Sequence, residues 1–242
     1  MKSIKMFSLF VLVSLILLLS KSAMAQDIST SVDIVSKYVW RGIESGSNAP
    51  AFQPTVKYTN GGFTFGLWGS TPISNPVDTA INEIDIFASY SYSFANSSSV
   101  SIGLTDYTYP SKPLNNRYGN FNNWNKPNGA HTVELNLGYT GTESLPIYVT
   151  ANIYVYNVLY SGNYFEAGYT AKCKSTDLSV FAGATAGDKG NSYGIDNFGF
   201  INVGFKASKT VKITDSFSFP IFSQIILNPA SEKLFYVVGI SL

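Results

Sequence analysis

Twelve charged side chains fall on the polar side of alternating segments: Asp33, Lys37, Arg41, Lys57, Glu83, Asp85, Glu134, Glu166, Lys172, Lys174, Lys206 and Lys233. Charges gathered on one face of extended chain attract and orient polar species; they do not break bonds unaided. Arg41 near Glu83 and Asp85 reads as a set of opposed charges across a narrow passage. Bond-breaking chemistry is poorly supplied by contrast. His131 is the single imidazole, and its neighbour Thr132 belongs to the opposite face. Glu83, Asp85 and Glu134 could approach His131 only by depth, and no nucleophile motif accompanies it. Near a loop, such a histidine reads as a solvated residue. No phosphate loop, dinucleotide fingerprint, paired-cysteine site or calcium loop is present, Asp188 and its Gly-Asn surroundings being too sparse. The expectation is a non-enzyme without cofactor or metal.

The elements that place these charges show a period of two. Ile84, Ile86, Ala88, Tyr90, Tyr92 and Phe94 share one face, and Glu83, Asp85, Phe87, Ser89, Ser91 and Ser93 the other. Val133, Leu135, Leu137 and Tyr139 likewise oppose Thr132, Glu134, Asn136 and Gly138. Such alternation marks strands with one apolar and one polar face. Twelve segments emerge: 28–41, 51–59, 63–71, 82–95, 99–109, 130–140, 145–157, 163–174, 177–187, 197–208, 217–228 and 232–242. The polar faces are rich in Ser, Thr, Gly and Asn, which suits an enclosed lumen more than a bulk-water surface.

Aromatic residues make up 15% of the chain and charged ones 13%, about half the usual charged share. Apolar content without long apolar runs leaves a soluble β-sandwich or a transmembrane β-barrel. The connections favour the barrel. Those after even segments are tight, as at Asn60-Gly61-Gly62, Asn96-Ser97-Ser98 and Ser175-Thr176, with 209–216 the longer exception. Those after odd segments are mostly longer: 42–50, 72–81, 110–129 and 188–196. Short periplasmic turns alternating with longer outer loops mark an outer-membrane barrel. Tyr and Trp near the ends of segments, including Tyr38, Trp40, Tyr58, Tyr90, Tyr107, Tyr139 and Tyr154, read as interfacial girdles.

Residues 1–25 read as an export signal: Lys2 and Lys5, an apolar run from Phe7 to Leu19, and Ala23-Met24-Ala25 before a cleavage point at Gln26. The run is too short to span a membrane as a helix. Residues 26–242 form one domain, an all-β, antiparallel, up-and-down transmembrane barrel of about twelve strands. No basic excess points to nucleic acid, and the lone Cys173 forms no intrachain disulfide.

Several motifs resemble the TorF-like porin family of Gram-negative bacteria. They are Ser36-Lys37-Tyr38-Val39-Trp40-Arg41-Gly42, Pro50 with Phe52-Gln53-Pro54, Gly66-Leu67-Trp68-Gly69-Ser70, Glu83-Ile84-Asp85-Ile86-Phe87, Asp106-Tyr107-Thr108-Tyr109-Pro110 and Val133-Glu134-Leu135. The resemblance implies an outer-membrane barrel and a presumed pore, with no catalytic residues and no agreed substrate. The expected partners are outer-membrane lipid and lipopolysaccharide, the barrel-assembly machinery during biogenesis, and small polar solutes. The expected function is passive passage of such solutes through a lumen positive toward the periplasm. The alternatives are a structural or adhesive barrel working through the 110–129 loop, and an outer-membrane hydrolase.

Overall fold

A computed structural model describes residues 27–45, 48–73, 82–110, 121–125, 129–157, 162–186 and 193–242. The proposed signal at 1–25 lies outside them, as do most of the 72–81 loop, the stretches 111–120 and 126–128, and Asp188. The wall consists of β1 (Asp27–Val35), β4 (Ala51–Asn60), β5 (Phe63–Pro72), β6 (Glu83–Ser93), β7 (Ser99–Thr108), β8 (Thr132–Thr140), β9 (Ile147–Tyr156), β10 (Asn163–Cys173), β11 (Thr176–Ala186), β12 (Gly199–Lys212), β13 (Ser218–Asn228) and β14 (Lys233–Ser241). Each pairs antiparallel with the next, and β14 returns to β1, closing a twelve-strand barrel. Two short strands, β2 (Val39–Trp40) and β3 (Ile43–Glu44), form a separate hairpin.

The period of two sets which side of the wall each residue takes. Phe63, Phe65 and Leu67 on β5, Val100, Ile102 and Leu104 on β7, and Leu234, Tyr236 and Val238 on β14 are exposed on the outside. Glu83, Asp85, Glu134 and Asn202 are buried inside. Tight turns gather at one end. Gly61 and Gly62 both have positive φ (56° and 94°), as a two-residue turn matched to strand twist requires. An added Cβ at Gly62 would lie 2.6 Å from the Ser91 carbonyl oxygen. The 209–216 connection shortens to 213–217 because β12 runs on to Lys212.

The seam is short. β1 and β14 share only the pairs Asp33–Ser241, Ile34–Ile240 and Val35–Gly239. It is extended by Ser36, whose backbone N–H donates to the Val238 carbonyl (2.8 Å) and whose Oγ accepts from the Val238 N–H (3.0 Å). There the chain leaves the wall.

Inward aromatic rings lie over inward glycines on neighbouring strands. A Cβ at Gly204 would meet the Phe181 ring at 2.3 Å and the Ile225 carbonyl at 2.6 Å; Phe87 covers Gly66, Tyr148 covers Gly168, and Phe222 covers Gly239 in the same manner. The rings thus lie along the wall, and the missing side chains are part of the packing. Gly204→Ala should lower stability by about 1–3 kcal/mol through overpacking, read as an earlier urea midpoint in detergent micelles; an unchanged midpoint would show that the ring has room to move.

Candidate functional site

The segment after Ser36 turns into the barrel as the β2–β3 hairpin. Its turn is Arg41-Gly42, with φ of 49° and 76°, the left-handed pair that a two-residue hairpin turn needs. Gly42 is close-fitted: an added Cβ would lie 1.7 Å from the Ile201 carbonyl oxygen. Asn228 Nδ2 donates to the Gly42 carbonyl at 3.0 Å. On one side Tyr38 and Val39 pack against Val35, Phe235 and Val237. On the other, Trp40 and Ile43 pack against Tyr164, Tyr193 and Ile201. Half-buried side chains of this size contribute on the order of 1–2 kcal/mol each.

The turn delivers Arg41 to Glu134 on β8. Nη1 and Nη2 donate to the two carboxylate oxygens at 2.7 and 2.8 Å, the paired geometry peculiar to guanidinium and carboxylate. Glu134 has zero exposure and the Arg41 side chain 13%, so the lumen is filled at this level. Nη1 also donates to Tyr193 (2.7 Å). The guanidinium lies 4.6 Å from the Trp40 ring and 4.5 Å from the Tyr164 ring, a cation between two π faces. Glu134 accepts further from Tyr107 (2.9 Å) and Asn136 (2.8 Å). Asn136 continues to Asn152 and accepts from Thr105.

The titratable groups of the inserted segments follow from this packing. Burial is the largest single influence and works against the charged Arg41, but the hydrogen bonds to Glu134 together with the charges of Tyr107, Tyr193 and Glu134 outweigh it and hold the guanidinium well above its ordinary value. Burial pushes the Tyr193 hydroxyl up to about 12, with Arg41 pulling the other way. Tyr38 is raised by burial first and then by the charges of Glu83 and Asp85.

The expected lumen residues occupy several different places. Glu134 and Arg41 meet, and the hydrogen bonds of Arg41 go to Glu134 and Tyr193 rather than to Glu83 and Asp85. The reason is that Lys37 and Arg41 lie past the end of β1 on the inserted hairpin, so they reach across the lumen instead of lining one wall. Glu83 takes a hydrogen bond from Tyr109 (3.4 Å). Glu166 accepts from Tyr148 (2.7 Å), Asn202 (2.7 Å) and Tyr164. Lys37 pairs with Glu44 (3.4 Å). Asp33, Lys37, Lys206, Gln53 and Gln224 border a void of about 150 Å³. Lys206 lies 4.4 Å from the Phe222 ring. Lys57 and Lys172 have inward parity at the turn end and are exposed, Lys172 beside Asp177 (3.3 Å). Lys174 is in the β10–β11 turn with φ of 57°, off the wall. Lys233, at the start of β14, is exposed as well.

Tyr107 and Tyr154 flank the Arg41–Glu134 level instead of joining an outer girdle, because their positions fall on the inward parity of β7 and β9. Outward aromatics do ring the turn end, including Tyr58, Phe63, Tyr90, Tyr92 and Tyr139.

His131 is not solvated. It has zero exposure, because residues 121–125 fold onto it. Trp124 stacks on its ring at 3.6 Å and 4°, and Phe121 meets it edge-on. Its Nδ1 is 2.7 Å from Asp106 and its Nε2 is 2.6 Å from the Phe121 carbonyl. The Asn157 amide donates to the carbonyls of Gly129 and His131. Asp106 has the parity of Val100, Ile102 and Leu104, so this cluster is on the outward side of the wall and does not join Glu83, Asp85 or Glu134.

Residues 20–172 match the model of a bacterial family described as a protein of unknown function (Gcw_chp). The motifs from Ser36 to Leu135 fall inside that stretch; the match does not carry the TorF-like name. A solved structure of a KdgM porin has the same fold, with TM-score 0.51, 12% identity, and 87% of this chain and 97% of that one covered. No curated protein matches in sequence.

Glu134→Ala should cost about 3–5 kcal/mol of unfolding free energy, because it leaves a buried guanidinium unpaired, whereas Arg41→Met with Glu134→Leu should recover most of that loss. Urea titration followed by tryptophan fluorescence measures both. His131→Leu should loosen residues 121–125 and speed proteolysis there while the barrel stays intact; equal cleavage rates would show that Asn157 and Tyr156 hold the segment without it.

Proposed function

The chain belongs to the Gcw_chp family of bacterial proteins of unknown function, and we propose that it is a porin-like channel of the outer membrane, closed here by its own β2–β3 hairpin. The observation that carries this reading is the Arg41–Glu134 clamp. A hairpin that leaves the wall and is fastened across the lumen by an ion pair, alongside its flanking apolar contacts, is suited to act as a removable obstruction. A barrel needing only a filled core would use apolar side chains, which fill the same volume without the desolvation cost.

The location is supported by the outside of the wall. Large apolar residues cover it on strand after strand, and a closed sheet leaves no edge unpaired in lipid. Outer loops at the hairpin end and turns at the periplasmic end follow the same scheme. Export through a cleaved segment at 1–25, contact with lipid and lipopolysaccharide, and insertion by the assembly machinery belong to this reading. The solutes would be small and polar, since Asn, Thr, Tyr and charged groups border the path, and the reading assigns no reaction to any residue.

A structural or adhesive barrel is the second reading, favoured by the filled cross-section at Glu134. Conductance separates the two. In planar bilayers the purified protein should pass ions with low or intermittent conductance, and Arg41→Ala or Gly42→Ala should raise it several-fold by unseating the hairpin. Silence in the parent and in both variants sinks the channel.

A further inference from the structure

Among the described residues, Asp85 is an inward-facing acid for which the structure shows neither an ion pair nor a hydrogen bond to its Oδ1. It is 8% exposed, and its Oδ1 is buried with no hydrogen-bond partner. The other buried acids on the inward face of the wall, Glu83 on the same strand and Glu134 on β8, bring it no positive charge. Among the described residues the one guanidinium is already engaged: Arg41 gives its two terminal nitrogens to Glu134 and Tyr193. A buried carboxylate left in this state is costly unless it takes up a positive partner or a proton.

Aromatic rings enclose the same place. Across the sheet Asp85 pairs with Trp68 on β5 and with Tyr107 on β7, and all three point inward. The hairpin adds Tyr38, 5.5 Å from Trp68 at 59°, and Trp40, 6.1 Å from Tyr107 at 75°. Aromatic faces attract cations, and most strongly those that shed water easily. A hard divalent ion needs about six oxygen ligands, and among the described residues no three metal-binding side chains come together. The enclosure therefore suits an organic ammonium group better than a metal ion.

We propose that Asp85, walled by Trp68 and Tyr107, is a binding station for a small alkylammonium group. The ammonium donates to Oδ1, and its carbon substituent rests against the rings. If the lumen is a solute route, the station makes a cationic organic solute its cargo; that consequence rests on the channel reading, whereas the binding itself does not.

The test uses the full-length folded protein in detergent micelles, titrated with methylammonium chloride against potassium chloride at constant ionic strength. Tryptophan fluorescence and Tm are read together. The expected result is a saturable change and a rise in Tm with methylammonium only. Asp85→Asn, which keeps the shape and removes the charge, should weaken binding roughly tenfold or more, the loss of one charge-assisted hydrogen bond. Trp68→Leu should weaken it as well. A flat titration in the parent, an equal response to potassium, or a response that persists in Asp85→Asn overturns the proposal. An Asn variant more stable than an unresponsive parent would identify a proton as the partner of Asp85. Because micelle binding needs no ion flow, a silent bilayer leaves this outcome untouched.

Discussion

The guanidinium of Arg41 lies against the carboxylate of Glu134 inside a closed wall, and the contents of the lumen are arranged to make that tolerable. Taking both charges out of water costs several kcal/mol per ion, and their attraction repays it only when the remaining donors and acceptors are also satisfied. The wall supplies those partners from three strands: Tyr107 on β7, Asn136 on β8 and Asn152 on β9. Loop residue Tyr193 accepts a further N–H from Arg41 Nη1. Two rings cover the faces of the guanidinium. Loss of a hydrogen-bonding partner here leaves a buried polar group with fewer bonds, a cost that the low local dielectric enlarges.

The glycines make this possible. The inward rings lie along the wall because Gly66, Gly168, Gly204 and Gly239 leave space beside them. Gly42 does the same for the hairpin, whose backbone sits directly on that of Ile201. Small residues on the polar faces thus have two uses. Some border water or a void, and others receive a ring or a turn.

Alternation made the wall legible. Ile84 to Phe94 and Val133 to Tyr139 could take only one register without exposing acids on the apolar side, so Glu83, Asp85 and Glu134 were readable as inward. The hairpin was not legible, because 28–41 reads as one extended segment and nothing in its composition marks the departure at Ser36. Arg41-Gly42 resembles no common turn pair, since a left-handed arginine is stable only where tertiary contacts fix it. Pairing of Arg41 with Glu134 spans 93 positions, and depth along a strand does not resolve which of three acids a long side chain will reach. The His131 cluster had one signal that parity already contained. Asp106 follows Val100, Ile102 and Leu104 on the outward face, and an acid there requires a cover; Trp124 and Phe121 help supply it.

The choice of an ion pair over an apolar plug has a consequence for how the hairpin can move. Apolar contacts weaken gradually as surfaces separate, whereas a bidentate pair in a dry cavity gains strongly at contact and loses most of that gain once water enters. Its two partners are attracted most strongly at contact, so the seated position of the hairpin is sharply defined. Trp40 and Ile43 on one side, with Tyr38 and Val39 on the other, set the angle of approach, and the pair sets the endpoint. Gly42 limits the closed position from behind, where the carbonyl of Ile201 admits no larger residue. A segment with one exact seat and a polar latch is held in part by its apolar contacts and in part by a buried pair that salt screens little but that a competing cation or carboxylate can address.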